Sequence, residues 1–271
     1  MKRITVNDVS MRFAVKEGEL LALDRLRLDV DAGQFVALIG LSGCGKSTLL
    51  KLVAGLLEPT SGEIRIADEV VRGPSTDVGM MFQAPVLLPW KSVLGNVMVQ
   101  AIVRRLPHQE YETRARALLK QVGLAGHEDR YVFQLSGGMQ QRVAFCRAVL
   151  HHPTVLLMDE PFGALDALTR EQMAFDLQQM WSSQQGQTVL FVTHSIPEAV
   201  LLADRVAVFS PRPGRIIDVV DVSLPRPRTP EVMSEKEFSD LTARLRGMVF
   251  ASEGASRALR AGALERLGDH L

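Results

Sequence analysis

The segment Gly40-Leu41-Ser42-Gly43-Cys44-Gly45-Lys46-Ser47-Thr48 has the spacing G-x-x-x-x-G-K-S with a second hydroxyl behind it. Glycines permit a tight loop whose backbone N–H groups converge on phosphate oxygens, and a helix starting at its end adds partial positive charge. Lys46 is then suited to β- and γ-phosphates, Ser47 to a Mg2+ ion and Thr48 to an α-phosphate. The plainer reading, a glycine-rich turn without ligand, gives no reason for Lys followed by two hydroxyl residues. Further along, Val155-Leu156-Leu157-Met158-Asp159-Glu160 is an apolar run ending in two carboxylates. That is the form of a buried parallel strand presenting acids at its carboxyl end. Asp159 is expected to hold the Mg2+ hydration shell and Glu160 to orient an attacking water; solvated charges closing a strand are the alternative.

These groups need elements to carry them. The apolar run Phe35–Ile39 predicts a strand buried on both faces that ends at the phosphate loop, and Ser47–Leu57 a helix stopping before Pro59. Alternation in Ile4–Phe13 and Leu26–Val30 predicts antiparallel strands with one wet face, and Glu63–Ile66 a further short strand. Helical spacing over Arg104–Gln121 and Gln140–Leu150 reads as a helical insertion, and Arg170–Trp181 as a helix between strands Val155–Met158 and Val189–Val192. Val206–Phe209 and Ile216–Val222 suggest two more strands. Three prolines in Leu224-Pro225-Arg226-Pro227-Arg228-Thr229-Pro230 predict an extended linker. Beyond it, Ser234 and Glu237 suggest a capping box, and Phe238, Leu241, Leu245 and Val249 an amphipathic helix packing on its own domain. The expected fold is therefore α/β, a P-loop NTPase core with an antiparallel β subdomain and a helical insertion.

Composition narrows the class. With 46% apolar and 23% charged residues in 271, the chain can bury a large core, and wholesale disorder is excluded. Lys plus Arg and Asp plus Glu are both 31, so no global field points to nucleic acid or anionic lipid. Two distant cysteines, Cys44 and Cys146, give neither a disulfide framework nor a zinc pair and fit a reducing compartment. The start, Met1–Phe13, reads as neither signal peptide nor anchor, and nowhere do 18 uninterrupted apolar residues occur.

Leu135-Ser136-Gly137-Gly138-Met139-Gln140-Gln141-Arg142 resembles the signature of ABC ATPases. The resemblance runs from about Ile4 to Ile217 and implies that Ser136, Gly137 and Gly138, at a helix start, face the γ-phosphate of ATP bound to a second copy. Catalysis would then require a head-to-tail dimer. Other positions match in order. Gln83 looks like the glutamine loop that contacts Mg2+ and water, and Ala164-Leu165-Asp166 like a loop crossing the dimer interface, where a helix-capping Asp166 is the alternative. His194 looks like the switch histidine at the γ-phosphate, whereas His108, His127, His151, His152 and His270 receive no role. Phe13 stands where the family commonly has an adenine-stacking aromatic, often Tyr; a buried strand residue is the other reading. Val132-Phe133 and Gly95 depart from the commoner pattern.

The implied organisation is an ABC ATPase domain over 1–223, with the helical subdomain at about 85–150, then a Pro-rich linker and helical tail over 224–271. Leu87-Leu88-Pro89-Trp90, Asp159–Arg170 and Phe209–Arg215 resemble ATPase subunits of importers for nitrate, sulfonates, taurine and related solutes. This implies ATP and Mg2+ as cofactors, two integral membrane permease subunits as partners, an external solute-binding protein acting indirectly, and a peripheral place on the cytoplasmic face of a bacterial inner membrane. Val86, Leu87, Leu88 and Trp90 are candidates for the docking surface, or for ordinary core packing. The rival readings are a soluble ABC ATPase acting on nucleic acid or ribosomes, which zero net charge does not favour, and a nucleotide-dependent regulator without turnover.

Overall fold

The computed structural model describes residues 1–16, 18–163, 165–183 and 187–268; Ala164 and His270 of the readings above lie outside them. Two sheets carry the architecture. The first is antiparallel, with order β2-β1-β4-β5, built from β1 (Ile4–Val15), β2 (Gly18–Val30), β4 (Ser61–Ile66) and the two-residue β5 (Glu69–Val70). The second has order β10-β9-β3-β8-β7-β6, from β3 (Phe35–Ile39), β6 (Val78–Met81), β7 (Val155–Asp159), β8 (Thr188–Val192), β9 (Arg205–Phe209) and β10 (Ile216–Asp221). It is parallel except for β10, which pairs antiparallel at the edge.

Every residue of β3, β7 and β8 is buried, as continuous apolar runs require in a sheet covered on both faces. The period-2 alternation splits β3 between two cores. Phe35, Ala37 and Ile39 face the helical side, whereas Val36 and Leu38 face the antiparallel sheet. Helix α1 (Lys46–Val53) lies in that second core, with Leu49, Leu50, Leu52 and Val53 buried among residues of both sheets. Each such side chain contributes on the order of 1.5–3 kcal/mol of transfer free energy. The phosphate-loop helix is thus wedged between two sheets.

Several boundaries differ from those read in the sequence. Helix α1 ends at Val53, short of Leu57, because Gly55 at φ 70 closes it: Leu56 N–H donates to Lys51 O and Gly55 N–H to Leu52 O. A Cβ at Gly55 would lie 2.1 Å from Gly73 O, so the position also admits no side chain. In the insertion, α2 (Val93–Val97) and α3 (Val99–Val103) precede α4 (His108–Gln121), which starts later than Arg104 because the chain turns through Arg105 at φ 56. Helix α5 (Gly137–Val149) opens at Ser136, whose hydroxyl accepts from Met139 N–H. The strands β5 and β6 had no counterpart in the sequence reading.

Helix α6 (Ala167–Ser183) and helix α7 (Ile196–Leu202) complete the core, and α8 (Lys236–Gly268) packs back on it through buried Phe238 and Leu245. The expected Ser234–Glu237 capping box is absent. Ser234 ends a 3-10 turn, and Glu237 accepts from Ser223 Oγ at 3.1 Å. The proline-rich stretch is extended but docked. Arg228, 2% exposed, donates from Nη1 to the carbonyls of Val200, Leu201 and Ala203 at 2.7–3.0 Å and so closes the carboxyl end of α7. Beside it Arg226 stacks over the Trp181 ring at 4.5 Å and pairs with Asp204. Among the described residues no helix is long and apolar enough to cross a membrane.

Candidate functional site

The strand order builds the site. Adjacent strands β3, β8, β7 and β6 are parallel, so their carboxyl ends deliver side by side the loop before Lys46, then His194, then Asp159 and Glu160, then Gln83. There a cleft of about 350 Å³ is lined by Phe13, Leu20 and Ala22 at one end. Ser42, Gly43, Gly45, Lys46, Ser47 and Thr48 line it along the loop, with Gln83, Glu160, His194 and Arg212 completing the wall.

The loop itself demands glycine. Gly43 and Gly45 have φ of 72 and 107, and a Cβ on Gly45 would meet Leu23 Cδ2 at 2.5 Å. Lys46, only 4% exposed, opens α1 and donates from Nζ to the carbonyls of Gly40 and Leu41 at 2.8 and 2.9 Å. Gly40 and Cys44 sit behind the cleft wall, with the Cys44 thiol buried 3.6 Å from Lys46 Nζ. Ser47 Oγ donates to Asp159 Oδ1 at 2.8 Å, which pairs the two residues expected at a metal.

Glu160 takes a left-handed conformation, φ 47, just beyond β7, with its amide on Val192 O at 2.9 Å. A non-glycine residue there carries on the order of 1 kcal/mol of backbone strain, and such residues cluster at functional sites. The turn separates two tasks: Asp159 faces Ser47, while Glu160 Oε1 lies 2.5 Å from His194 Nε2 and its Oε2 accepts from Gln83 Nε2 at 3.2 Å. Two candidates, from beyond the ends of β6 and β8, therefore meet on the carboxylate carried just beyond β7. Phe13 is half-buried and pairs across the sheet with Leu20, both facing the cleft.

Ser136, Gly137, Gly138 and Asp166 do not line this cleft. Gly138 packs against α6, where an added Cβ would meet Thr169 Cγ2 at 3.2 Å. Asp166 accepts from Thr169 N–H at 3.1 Å, and bonds from Thr169 hold its carboxyl below the usual range, as expected at the mouth of a helix. Val86 and Trp90 are exposed, whereas Leu87 packs on the core.

Three features escaped the sequence reading. Arg212 reaches the loop from the turn after β9. Gln141, buried on α5, donates from Nε2 to Gln83 O at 2.9 Å. Glu198, buried on α7, accepts from Thr193 Oγ1 at 2.5 Å and lies 3.6 Å from Arg170, which in turn donates to Leu165 O at 2.9 Å. Desolvation raises the Glu198 carboxyl against the opposing pull of Thr193 and Arg170. Gln141 and Arg212 belong to segments already singled out by their motifs, so their positions, though not their partners, were visible.

Residues 23–163 match the ABC transporter family. An uncharacterized ABC transporter ATP-binding protein of Methanocaldococcus jannaschii is 44% identical over 226 residues, covering 83% of this chain and 84% of its own. Taurine import ATP-binding proteins are similar too. That of Roseobacter denitrificans is 44% identical over 217 residues, 80% of this chain and 81% of its own; that of Jannaschia sp. is 39% identical over 263 residues, 93% and 96%. Among solved structures, a dimeric ATP-binding cassette in a post-hydrolysis state with ADP and Pi superposes with a TM-score of 0.72 at 30% identity, covering 82% of this chain and all of that one.

Proposed function

This chain belongs to the ABC transporter family as an ATP-binding subunit that hydrolyses ATP, and from that premise we propose that it energises the import of taurine or a closely related small sulfonate. The observation that carries the catalytic part is the convergence of Gln83 and His194 on Glu160 across one cleft from Lys46. In this reading the glycine-rich loop and Lys46 bind the phosphates, Thr48 contacts the α-phosphate, and Phe13 stacks on adenine. Ser47, Asp159 and Gln83 are oxygen donors suited to Mg2+, which neutralises phosphate charge when bound. Glu160 orients the attacking water and takes up its proton, while His194 holds the Glu160 carboxylate and contacts the γ-phosphate.

Ser136, Gly137, Gly138 and Asp166 are assigned to the nucleotide of a second copy, which their place outside the cleft supports. The relative solved as a dimer supports the same arrangement. Residues 1–223 form the ATPase domain with the helical subdomain at about 85–150, and 224–271 the docked segment and tail. The exposed Val86 and Trp90 on that subdomain are assigned to a pair of membrane permease subunits, fed by an external solute-binding protein, on the cytoplasmic face of the inner membrane.

The test is to tag this chain in its native cell, extract membranes in mild detergent and identify what copurifies. A stoichiometric integral membrane pair whose taurine uptake in vesicles requires ATP supports the reading. Recovery only in the soluble fraction, or with ribosomes or DNA, overturns it.

A further inference from the structure

The turn Ser210–Arg215 between β9 and β10 is fastened to the nucleotide cleft at three points. Gly214 N–H donates to Ala22 O at 2.8 Å, Asp24 N–H donates to Gly214 O at 3.0 Å, and Arg212 reaches the phosphate loop. Ser210 Oγ braces the turn internally, its one proton shared between the carbonyls of Pro211 and Pro213 while the oxygen accepts from Arg215 N–H. A Cβ on Gly214 would lie 2.1 Å from Cys44 O, so the turn presses directly on the loop.

Its two arginines are used differently. Arg215 is neutralised by Asp24. Arg212 donates from Nε and Nη2 to one neutral acceptor, Gly43 O, at 3.1 and 2.9 Å. Among the described residues no carboxylate pairs with it, although its guanidinium lines the cleft beside Ser42, Gly43 and Lys46. A planar cation pinned by two of its N–H groups keeps its remaining donors and its whole charge for something else in that cleft. The nucleotide brings several negative charges to this place, and an arginine fork matches phosphate oxygens.

We propose that Arg212 is a nucleotide-binding residue of this site: it fixes the Gly43 carbonyl and adds a second cation, beyond Lys46, for the polyphosphate chain of a nucleoside di- or triphosphate. This rests on the reading of the cleft as the ATP site. The turn after β9 is thereby a third wall of that site, joining the antiparallel sheet at Ala22 to the loop at Gly43.

The experiment measures equilibrium binding of MgATP, MgADP and adenosine to the purified chain, to Arg212→Ala, Arg212→Lys and Arg212→Gln, with Lys46→Ala as a control and thermal midpoints for all. Arg212→Ala and Arg212→Gln are expected to weaken MgATP and MgADP about tenfold or more, the size of one charge-assisted hydrogen bond. Adenosine binding should change less than twofold, and Arg212→Lys, which keeps the charge but loses the two-pronged hold on Gly43 O, should recover part of the loss. Binding of MgATP by Arg212→Ala within twofold of the parent, equal losses in Arg212→Lys and Arg212→Ala, or equal losses for adenosine and MgATP would each overturn the proposal. Failure of the parent chain to bind MgATP would overturn the reading of the cleft as well.

Discussion

The side-chain amide of Gln141, on the helix that starts at Ser136, donates to the backbone carbonyl of Gln83 at 2.9 Å, and Gln83 in turn donates to Glu160. A chain of contacts thus runs from α5 to the carboxylate assigned to the attacking water. Gln141 is 1% exposed, so this is an interior link whose geometry the surrounding packing fixes.

Replacing Gln141 by Leu preserves most of the volume and removes the donor. Turnover is expected to fall about three- to tenfold, the worth of one buried hydrogen bond, while MgATP affinity changes less than twofold. Phosphate release and nucleotide binding measured on the same sample check this; equal losses in both would mean that the link serves the loop rather than Glu160.

Glu160→Gln keeps the side chain's shape and a partner for His194 but removes the carboxylate. Steady-state hydrolysis should drop by about a hundredfold or more, with ATP retained on the protein. Hydrolysis at the parent rate would remove Glu160 from the mechanism.

Glu198 ties the segment holding His194 to α6, since it takes the Thr193 hydroxyl and faces Arg170. Glu198→Ala leaves the Thr193 hydroxyl without its acceptor and Arg170 without its counter-charge, so a loss of about 1–3 kcal/mol in stability is expected. Because Thr193 neighbours His194, turnover should fall as well, and Glu198→Gln should restore part of each. Denaturant melts and phosphate release decide; parent-like turnover in Glu198→Ala would reduce the contact to packing.

His151, behind α5, has its pKa pushed down to about 4, chiefly by burial and next by the charge of Arg104. Its unfolded form binds a proton near pH 6.5, so between about 6.5 and 4 the unfolded chain holds more protons and stability falls as pH falls. His152 is shifted in the same direction. Thermal midpoints taken across that window should decline, and His151→Gln should flatten the decline; an unaltered slope in the variant would assign the effect to other groups.

The chemistry-bearing residues were legible because loop spacing and apolar runs are local signals. Gly40–Thr48 follows its strand and Asp159–Glu160 closes another, as read. What escaped was set by contacts distant in sequence. β6, only Val78–Met81, contains Gly79, which a strand interior disfavours; its glycine exists because a Cβ would sit 2.5 Å from Ala148 O. Helices α2 and α3 are five residues each, too short to show a period, and α2 is secured by buried Asn96, whose side chain closes on the backbone of Leu88, Lys91 and Ser92. Arg212 lies between prolines in an exposed turn, so its motif marks the segment but nothing local shows that the side chain reaches Gly43 O.

The docking of Arg228 fixes where this polypeptide can be cut. A chain trimmed at residue 223, the boundary its motifs suggest, would lose the guanidinium that gathers three carbonyls at the end of α7 and would bare Leu201, Leu202 and Trp181. Because α7 follows His194 directly, the damage would be transmitted to the cleft without any cleft residue having been removed. A stable fragment is therefore expected to keep Arg228 and the buried Phe238 and Leu245, and proteases acting on the native fold should spare the proline-rich stretch.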